Sequence, residues 1–334
     1  MIKPPYKVPT MQEINEKPWN GFNVVSTFSG CGGSSLGYRM AGFKVLWASE
    51  FIDAARDSYR ANAAPYTVLD GRDIRQVTKY SDKSQRTDDL FYEYIRLIKG
   101  LKPKVFLAEN VSGLIKGTAK GYFLEILSAM KACGYQVSCR VLDAKWLGVP
   151  QQRQRTIFIG VRDDIGIKPI HPKPLDYQYT VRDALPWIVA KGPMHTIQAG
   201  AGARTSSSWG HGTCIVEAET DISKYAIGKE WDIMGKPGSV SDKYFSLVRP
   251  DLDRPCPTIT STGSVIGAAS VVHPTEKRKL SIAELKRICG FPDDFILTGT
   301  YSQKWERCGR AVPPVMMSHI AATILDQILK KIKK

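Results

Sequence analysis

The stretch Val105-Phe106-Leu107-Ala108-Glu109-Asn110-Val111 is a short apolar run that ends in a carboxylate and an amide. It follows Lys102-Pro103-Lys104, and a run of this length in that position predicts a buried parallel strand. Residues at the carboxyl end of such a strand face the ligand crevice of an open α/β sheet. Glu109 is therefore a candidate for chemistry, although the stretch by itself is equally compatible with a strand that ends in a solvated Glu-Asn turn.

The first half of the chain alternates strand and helix patterns, joined by connections of a few residues. Strands are predicted at residues 23–28, 44–49, 105–108, 135–143 and 156–162, and helices at residues 34–41, 53–62, 87–99 and 122–133. This alternation predicts an α/β fold with a doubly wound, mostly parallel sheet. We expect a first domain over residues 1–164, a smaller, loop-rich domain over residues 165–257, and a return segment over residues 258–334 whose helices complete the first domain.

The composition limits the classes of partner. The 334 residues include 47 Lys and Arg against 32 Asp and Glu, a formal net charge of +15 that favours a polyanionic partner without separating DNA, RNA and an acidic membrane surface. No apolar stretch of about 18 residues is visible and the first 20 residues are polar, so we expect no membrane span, no secretory signal and a cytoplasmic protein. Seven cysteines without paired or zinc-ligand spacing indicate reduced thiols and no metal.

A glycine-rich turn lies between the first predicted strand and the first predicted helix, in residues 27–37 (TFSGCGGSSLG). Glycines permit a tight turn and a close approach of the backbone to a ligand, and the helix start offers free N–H groups, so a nucleotide-like cofactor would fit. Glu50 follows the second strand, where a carboxylate can bind ribose hydroxyls. Asp73 is expected to end the third strand. A turn required only for packing, and strand ends that are simply solvated, are the alternatives.

Seven motifs in this order, FSGCGGSSLG, ASE, RDI, ENV, VPQQRQR, RPCPTI and CGRAVPP, resemble those of the DNA cytosine C5-methyltransferase family. The resemblance implies S-adenosylmethionine as cofactor and a cytosine flipped out of double-stranded DNA as substrate. It also implies that residues 1–164 form the catalytic domain and that the loop-rich domain recognises the target, through residues 168–248. We expect a monomer.

The resemblance carries roles to individual residues. Glu109 would hydrogen-bond the cytosine at N3, Arg155 would contact O2, and Arg153 would support them, although phosphate binding or a salt bridge is the alternative for both arginines. Phe28 would face the adenine ring and Glu50 the ribose. The implied cofactor-binding set is Phe28, Gly30, Gly32, Gly33, Glu50, Phe51, Asp73, Ile74, Ala311 and Val312. Arg310 departs from the family pattern, which usually has Asn there.

The family's nucleophile is missing. It is a cysteine in a Pro-Pro-Cys loop after the fourth strand, yet no cysteine lies between Cys31 and Cys133, and residues 78–89 contain no apolar run able to form a strand. Because the lost strand would pair with the first strand, we expect the physical protein to contain an additional strand and loop, with a deletion that ablates activity as the alternative. A Cα–Cα step well above about 3.8 Å within residues 73–84 would reveal the omission. Cys256, in Pro255-Cys256-Pro257, is rejected as a substitute because it matches a different motif.

Two other functions remain open from the sequence. One is a catalytically inactive DNA-binding or regulatory protein that keeps the fold but lacks the nucleophile. The other is an RNA cytosine methyltransferase of the same fold, which would need the same cofactor turn.

Overall fold

The computed structural model describes residues 3–77, 90–111, 120–188 and 220–332. Its strands form two three-stranded sheets. The strands are β1 (Asn23–Ser26), β2 (Lys44–Ser49), β3 (Val68–Asp70), β4 (Val105–Val111), β5 (Tyr135–Asp143) and β6 (Gln154–Arg162). The helices are α1 (Met11–Asn15), α2 (Gly33–Met40), α3 (Asp53–Asn62), α4 (Leu90–Leu101), α5 (Lys120–Lys131), α6 (Val181–Ala184), α7 (Ala226–Ile233), α8 (Ile282–Ile288), α9 (Tyr301–Arg310) and α10 (Pro314–Gln327).

The first sheet has the order β1-β2-β3 and is parallel, because α2 and α3 carry the chain back between successive strands. The second sheet has the order β4-β6-β5 and is antiparallel. β6 is the middle strand of this sheet, and its residues Ile157, Phe158 and Ile159 are fully buried. Such a continuous apolar run is typical of a central strand that is covered on both faces. The α/β class is as predicted, but within the described residues the sheet is not mostly parallel. A connection of only ten residues, 144–153, joins β5 to β6 and leaves no room for a crossover helix.

The sequence patterns placed most elements closely. β2, α3 and β5 have the predicted bounds, and β1, α2, α4, β4, α5 and β6 differ from them by one to three residues at an end. The helices α1, α6, α7 and α9 were not predicted. Asp73 was predicted to end the third strand, and this is wrong: β3 ends at Asp70, and the Asp73 carboxylate instead accepts the Arg75 backbone N–H at the start of a 3-10 turn. The predicted test for an omitted segment falls largely on residues 78–89, outside the described residues.

The return segment packs on α2. An added Cβ at Gly37 of α2 would lie 2.5 Å from Met317 Cβ and 2.6 Å from the Pro314 carbonyl oxygen, so α2 and α10 touch backbone to backbone. Met316, Met317 and Ile320 share an apolar cluster with Ile157 and Ile159 of β6. The helical stretch Tyr301–Lys331 has the length and mean hydropathy of a membrane span, but 61% of its apolar window is buried inside the fold, as in a core helix.

Gly160 tests the packing of the second sheet. It stands opposite Phe106 in the β4–β6 register, and an added Cβ would lie 2.1 Å from the Phe106 ring. We expect Gly160→Ala to lower the free energy of unfolding by about 1–3 kcal/mol, because the ring must move in a close-packed layer. Gly100→Ala is the matched control: it lies in α4 with nothing within 4 Å of the added carbon, and it should stabilise by about 0.5–1 kcal/mol. Urea denaturation of both variants measures this, and equal effects would contradict the packing argument.

Candidate functional site

A cavity of about 1210 Å³ lies between the two sheets. β1 and its glycine-rich turn line one wall, β4 lines the opposite wall, and α4 and the return segment contribute the rest. This volume exceeds the range of about 300–1,000 Å³ that is usual for a small-molecule site. The predicted site residues that line it are Phe28, Gly30, Gly33, Glu50, Glu109, Arg155, Ala311 and Val312.

The glycine-rich turn is built for close approach. Gly30 and Gly32 have left-handed backbone angles (φ +56° and +99°), which glycine adopts at little cost. An added Cβ at Gly30 would meet nothing within 4 Å, so this glycine faces open space in the cavity. At Gly33 an added Cβ would lie 2.5 Å from the Val312 carbonyl oxygen, so the return segment closes directly over the turn. Gly32 does not line the cavity and packs against the Tyr59 ring.

Phe28 and Glu50 flank this turn. Phe28 has a positive φ of +52° and is 44% exposed, an unusual state for an aromatic residue that leaves its side chain free at the cavity wall. The Glu50 carboxylate is buried and accepts the backbone N–H of Gly30 at 2.8 Å and that of Ile52 at 2.9 Å. A carboxylate oxygen can accept two hydrogen bonds, and each oxygen of Glu50 accepts one from the backbone. Glu50 is therefore held in place and keeps acceptor capacity for a ligand hydroxyl.

Glu109 and Arg155 meet at the other wall. Their side chains come from paired strands, and Arg155 Nε lies 2.6 Å from Glu109 Oε1. The two side chains are 26% and 13% exposed. Removal from water raises the pKa of Glu109 above its ordinary value, and the charges of Arg155 and Arg153 oppose this shift. The site therefore pairs a carboxyl group that gains a proton readily with a fixed cationic donor.

Arg153 lies outside the cavity lining. Its guanidinium is buried, with Nη1 donating to the Ile259 carbonyl oxygen at 2.8 Å and Nη2 to the Gly309 carbonyl oxygen at 2.7 Å. Burial lowers its pKa to about 10, so it stays charged at neutral pH. This geometry ties the return segment to the start of β6.

Besides Gly32, three predicted cofactor residues do not line the cavity. Phe51 is 59% exposed, and Ile74 is buried in the core. Asp73 pairs with Arg75, whose Nε lies 2.9 Å from Asp73 Oδ1. The two residues between the end of β3 and Asp73 carry its carboxylate away from the strand edge.

Two arginines of α9 line the cavity although neither was among the predicted site residues. They are Arg307 and Arg310, and Arg307 is buried with no described hydrogen-bond partner for its Nε. Arg310 is exposed at the rim of the cavity and pairs with Glu306 at 2.7 Å. The motif CGRAVPP pointed to this region, but the polar sequence of α9 gave no sign of the helix that buries Arg307.

Among the described cysteines, only Cys31 lines the cavity. It is 3% exposed, its thiol donates to the Arg307 carbonyl oxygen at 3.9 Å, and burial raises its pKa to about 12. A thiol that stays protonated is a poor nucleophile. Cys214 lies outside the described residues. In the part of the chain that the structure describes, no group of three or more His, Cys, Asp or Glu side chains could hold a metal ion.

Comparisons with known proteins agree with this geometry. The family model for C-5 cytosine-specific DNA methylase matches residues 22–85 and 76–326, in two blocks. The Type II methyltransferase M1.HphI of Haemophilus parahaemolyticus is 30% identical and is aligned over 90% of this chain and 86% of its own length. M.NgoFVII of Neisseria gonorrhoeae, also a Type II methyltransferase, is 28% identical over 96% and 89%.

Solved structures share the fold. DNMT2 of Spodoptera frugiperda superposes with a TM-score of 0.64 at 16% identity, over 91% of this chain and 99% of that chain. DNMT2 of S. pombe superposes with a TM-score of 0.57 at 17% identity, over 91% and 98%. At these identities the likeness shows the fold alone. The family model, by contrast, matches most of the chain, including most of the residues that line the cavity. The chain therefore belongs to the C-5 cytosine-specific DNA methylase family.

Proposed function

We propose that this protein transfers a methyl group from S-adenosylmethionine to C5 of a cytosine flipped out of double-stranded DNA. The observation that carries the proposal is that the Glu109–Arg155 pair and the turn holding Gly30 and Glu50 open into one cavity. The two side chains that would hydrogen-bond the edge of a pyrimidine, Glu109 and Arg155, thus share one cavity with Glu50, the carboxylate that would bind the ribose.

The described residues fit the cofactor. The open space at Gly30 would let the cofactor approach the protein backbone closely. The free face of Phe28 would stack on adenine, and the Glu50 carboxylate would accept hydrogen bonds from the ribose hydroxyls. Arg307, with its unpartnered buried Nε, would hold the carboxylate of the cofactor's amino acid. Ala311 and Val312 would close the pocket. When bound, S-adenosylmethionine supplies an electrophilic methyl group.

Glu109 and Arg155 would recognise the base. Arg155 would donate to O2, and a protonated Glu109 would donate to N3, which draws electrons from the ring and makes C6 easier to attack. The flipped base excludes water from Glu109, so binding itself raises the pKa of Glu109 further. Flipping costs a few kcal/mol of unstacking, which these contacts offset.

We further propose that the two sheets belong to one doubly wound sheet and that residues 165–257 recognise the target DNA. Among the residues described there, Phe245 is 95% exposed beside Lys243 and Tyr244, a composition suited to a DNA surface. The net charge of +15 also favours DNA. The Type II methyltransferases at 28–30% identity support DNA over RNA as substrate, and an enzyme over an inactive DNA-binding protein. A cytoplasmic monomer is part of the same proposal.

Arg153 separates a structural role from a catalytic one. We expect Arg153→Ala to lower the free energy of unfolding by on the order of 3 kcal/mol, because it leaves two buried carbonyl groups without donors. Arg155→Ala, the matched change two residues along, should cost less than about 1 kcal/mol, since its partner Glu109 can take up a proton. Thermal denaturation measures both. An unchanged stability of Arg153→Ala together with lost methyl transfer would instead give Arg153 a direct part in the chemistry.

Glu109 sets the pH dependence of the chemical step. A carboxyl with a raised pKa is protonated below that pKa, so the single-turnover rate should fall as the pH rises through it. Glu109→Gln should slow this step about 10²–10⁴-fold, weaken DNA binding far less, and abolish the pH dependence. The rates are measured by quenched flow with labelled cofactor. Equal turnover in the variant would remove Glu109 from the mechanism.

Substrate class is tested in two steps. Binding of S-adenosylmethionine is measured by calorimetry on the chain alone, and Glu50→Ala should weaken it about tenfold or more by removing the ribose acceptor. Binding of random-sequence duplex DNA and of transfer RNA is then compared at several salt concentrations. We expect tighter binding to duplex DNA that weakens steeply with salt. Preference for transfer RNA would contradict DNA as the substrate, and a chain that binds no cofactor would contradict the function.

A further inference from the structure

Arg310 is an exposed cation on the rim of the cavity. Within the described residues, the exposed basic residues that line the cavity are Lys104 and Arg310. Lys104 precedes β4, at the amino end of that strand, whereas Glu109 lies toward its carboxyl end. Arg310 is followed by Ala311, whose Cβ lies 3.2 Å from the position of a Cβ added at Gly33 in the glycine-rich turn. Arg310 therefore lies at the end of the cavity where the cofactor turn begins.

The ion pair of Arg310 leaves much of its guanidinium unused. Arg310 Nε lies 2.7 Å from Oε1 of Glu306, one helical turn earlier, and the Arg310 side chain is 61% exposed. An exposed pair of this kind contributes little to stability, because water and salt screen the two charges. It does orient the guanidinium. With Nε occupied, the edge formed by Nη1 and Nη2 remains, and no described residue accepts a hydrogen bond from that edge.

Arg307 and Arg310 differ in the anion that each can reach. Arg307, one turn earlier on α9, is 6% exposed, and the proposed function assigns its buried Nε to the carboxylate of the cofactor. Arg310 lies in contact with solvent at the same opening. A ligand enclosed in the cavity is already met by the buried arginine. The exposed arginine is placed instead for an anion that stays outside the cavity.

The DNA substrate supplies such an anion. A flipped cytosine enters the cavity, but it stays joined through its sugar to one phosphate on each side. Neither phosphate can follow the base inward, because each is also linked to a nucleotide that remains in the helix. Both phosphates therefore lie at the mouth of the cavity. The planar Nη edge of an arginine matches two oxygens of a phosphate group.

We propose that Arg310 binds one of the two phosphates that flank the flipped cytosine and so holds the extruded nucleotide at the cavity. The inference rests on the proposed function and adds a positioning contact to it. Family members usually have Asn at this position, and a neutral amide cannot make the charge-assisted, bidentate contact of an arginine. The phosphate contact thus distinguishes this chain from the usual pattern. It carries no sequence information, because phosphate contacts fix register and orientation.

The test uses the full chain and a short fluorescent DNA duplex. The duplex carries one cytosine opposite an abasic site, because an unpaired base costs less to flip out. Two further duplexes replace the phosphate on either the 5′ or the 3′ side of that cytosine with a neutral methylphosphonate. Fluorescence anisotropy measures the affinity of the intact chain and of Arg310→Asn for all three duplexes.

We expect Arg310→Asn to weaken binding of the unmodified duplex about tenfold and to reduce the slope of log affinity against log salt concentration by about one. Neutralising the contacted phosphate should weaken binding by the intact chain to a similar degree. The same duplex should bind Arg310→Asn within about twofold of the unmodified one, because both changes remove a single contact. Losses that simply add at both phosphates would overturn the proposal.

Arg60→Asn is the matched control. Arg60 lies on α3, its side chain is 62% exposed, and it pairs with Asp57, one turn earlier, at 2.7 Å, but it does not line the cavity. Its DNA affinity should stay within about twofold of the intact chain. Circular dichroism confirms that both variants fold. An equal loss in both variants would mean that Arg310 acts only through net charge, which would overturn the contact.

Calorimetry with S-adenosylmethionine separates the remaining readings. Arg310→Asn should keep the cofactor affinity within about twofold, because the buried Arg307 is the residue assigned to the cofactor carboxylate. A tenfold loss would place Arg310 in the cofactor site and overturn the proposal. Additive losses in a chain that binds both cofactor and DNA refute only the phosphate contact. A chain that binds neither contradicts the proposed function and, with it, this inference.

Discussion

The backbone edges of β1 and β4 are the constraint on which the rest of this structure depends. Each strand has a partner on one side only within the described residues, and the two open edges line the same cavity. Unpaired backbone groups inside a protein are costly, so an arrangement of this kind is normally closed by another strand. The same opening that weakens the sheet forms the cavity in which we propose that the cofactor and the base bind.

The return segment explains how the site holds together despite this opening. Arg153 donates hydrogen bonds to the carbonyl oxygens of Ile259 and Gly309. Because Gly33 and Gly37 of α2 have no side chains, Val312 and Met317 can approach that helix closely. These contacts fasten α9 and α10 over the cofactor turn. Cavity residues far apart in sequence, such as Glu50 and Arg307, therefore share one wall without any direct pairing between β1 and β4.

The chemistry of the site follows from burial at strand ends. Glu109 lies far enough from solvent for its pKa to rise, yet Arg155 at 2.6 Å keeps it oriented. Glu50, by contrast, is fixed by two backbone N–H groups. Two carboxylates in one cavity thus have different tasks: one is suited to carry a proton to a base, and the other to accept hydroxyl hydrogen bonds.

Local patterns in the sequence determined the order of strands and helices through α5, β5 and β6, the glycine turn, and the positions of Glu109 and Glu50 near strand ends, because periodicity and turn chemistry act over short distances. Only the tertiary structure decided what depends on long-range packing. It split the strands into two sheets, moved Asp73, Ile74 and Phe51 out of the cavity, gave Arg153 carbonyl partners in place of a ligand, and brought Arg307 inward. Those outcomes depend on how α9 and α10 fold back across more than 250 residues of chain, which no local pattern in Gly30 or Arg307 encodes.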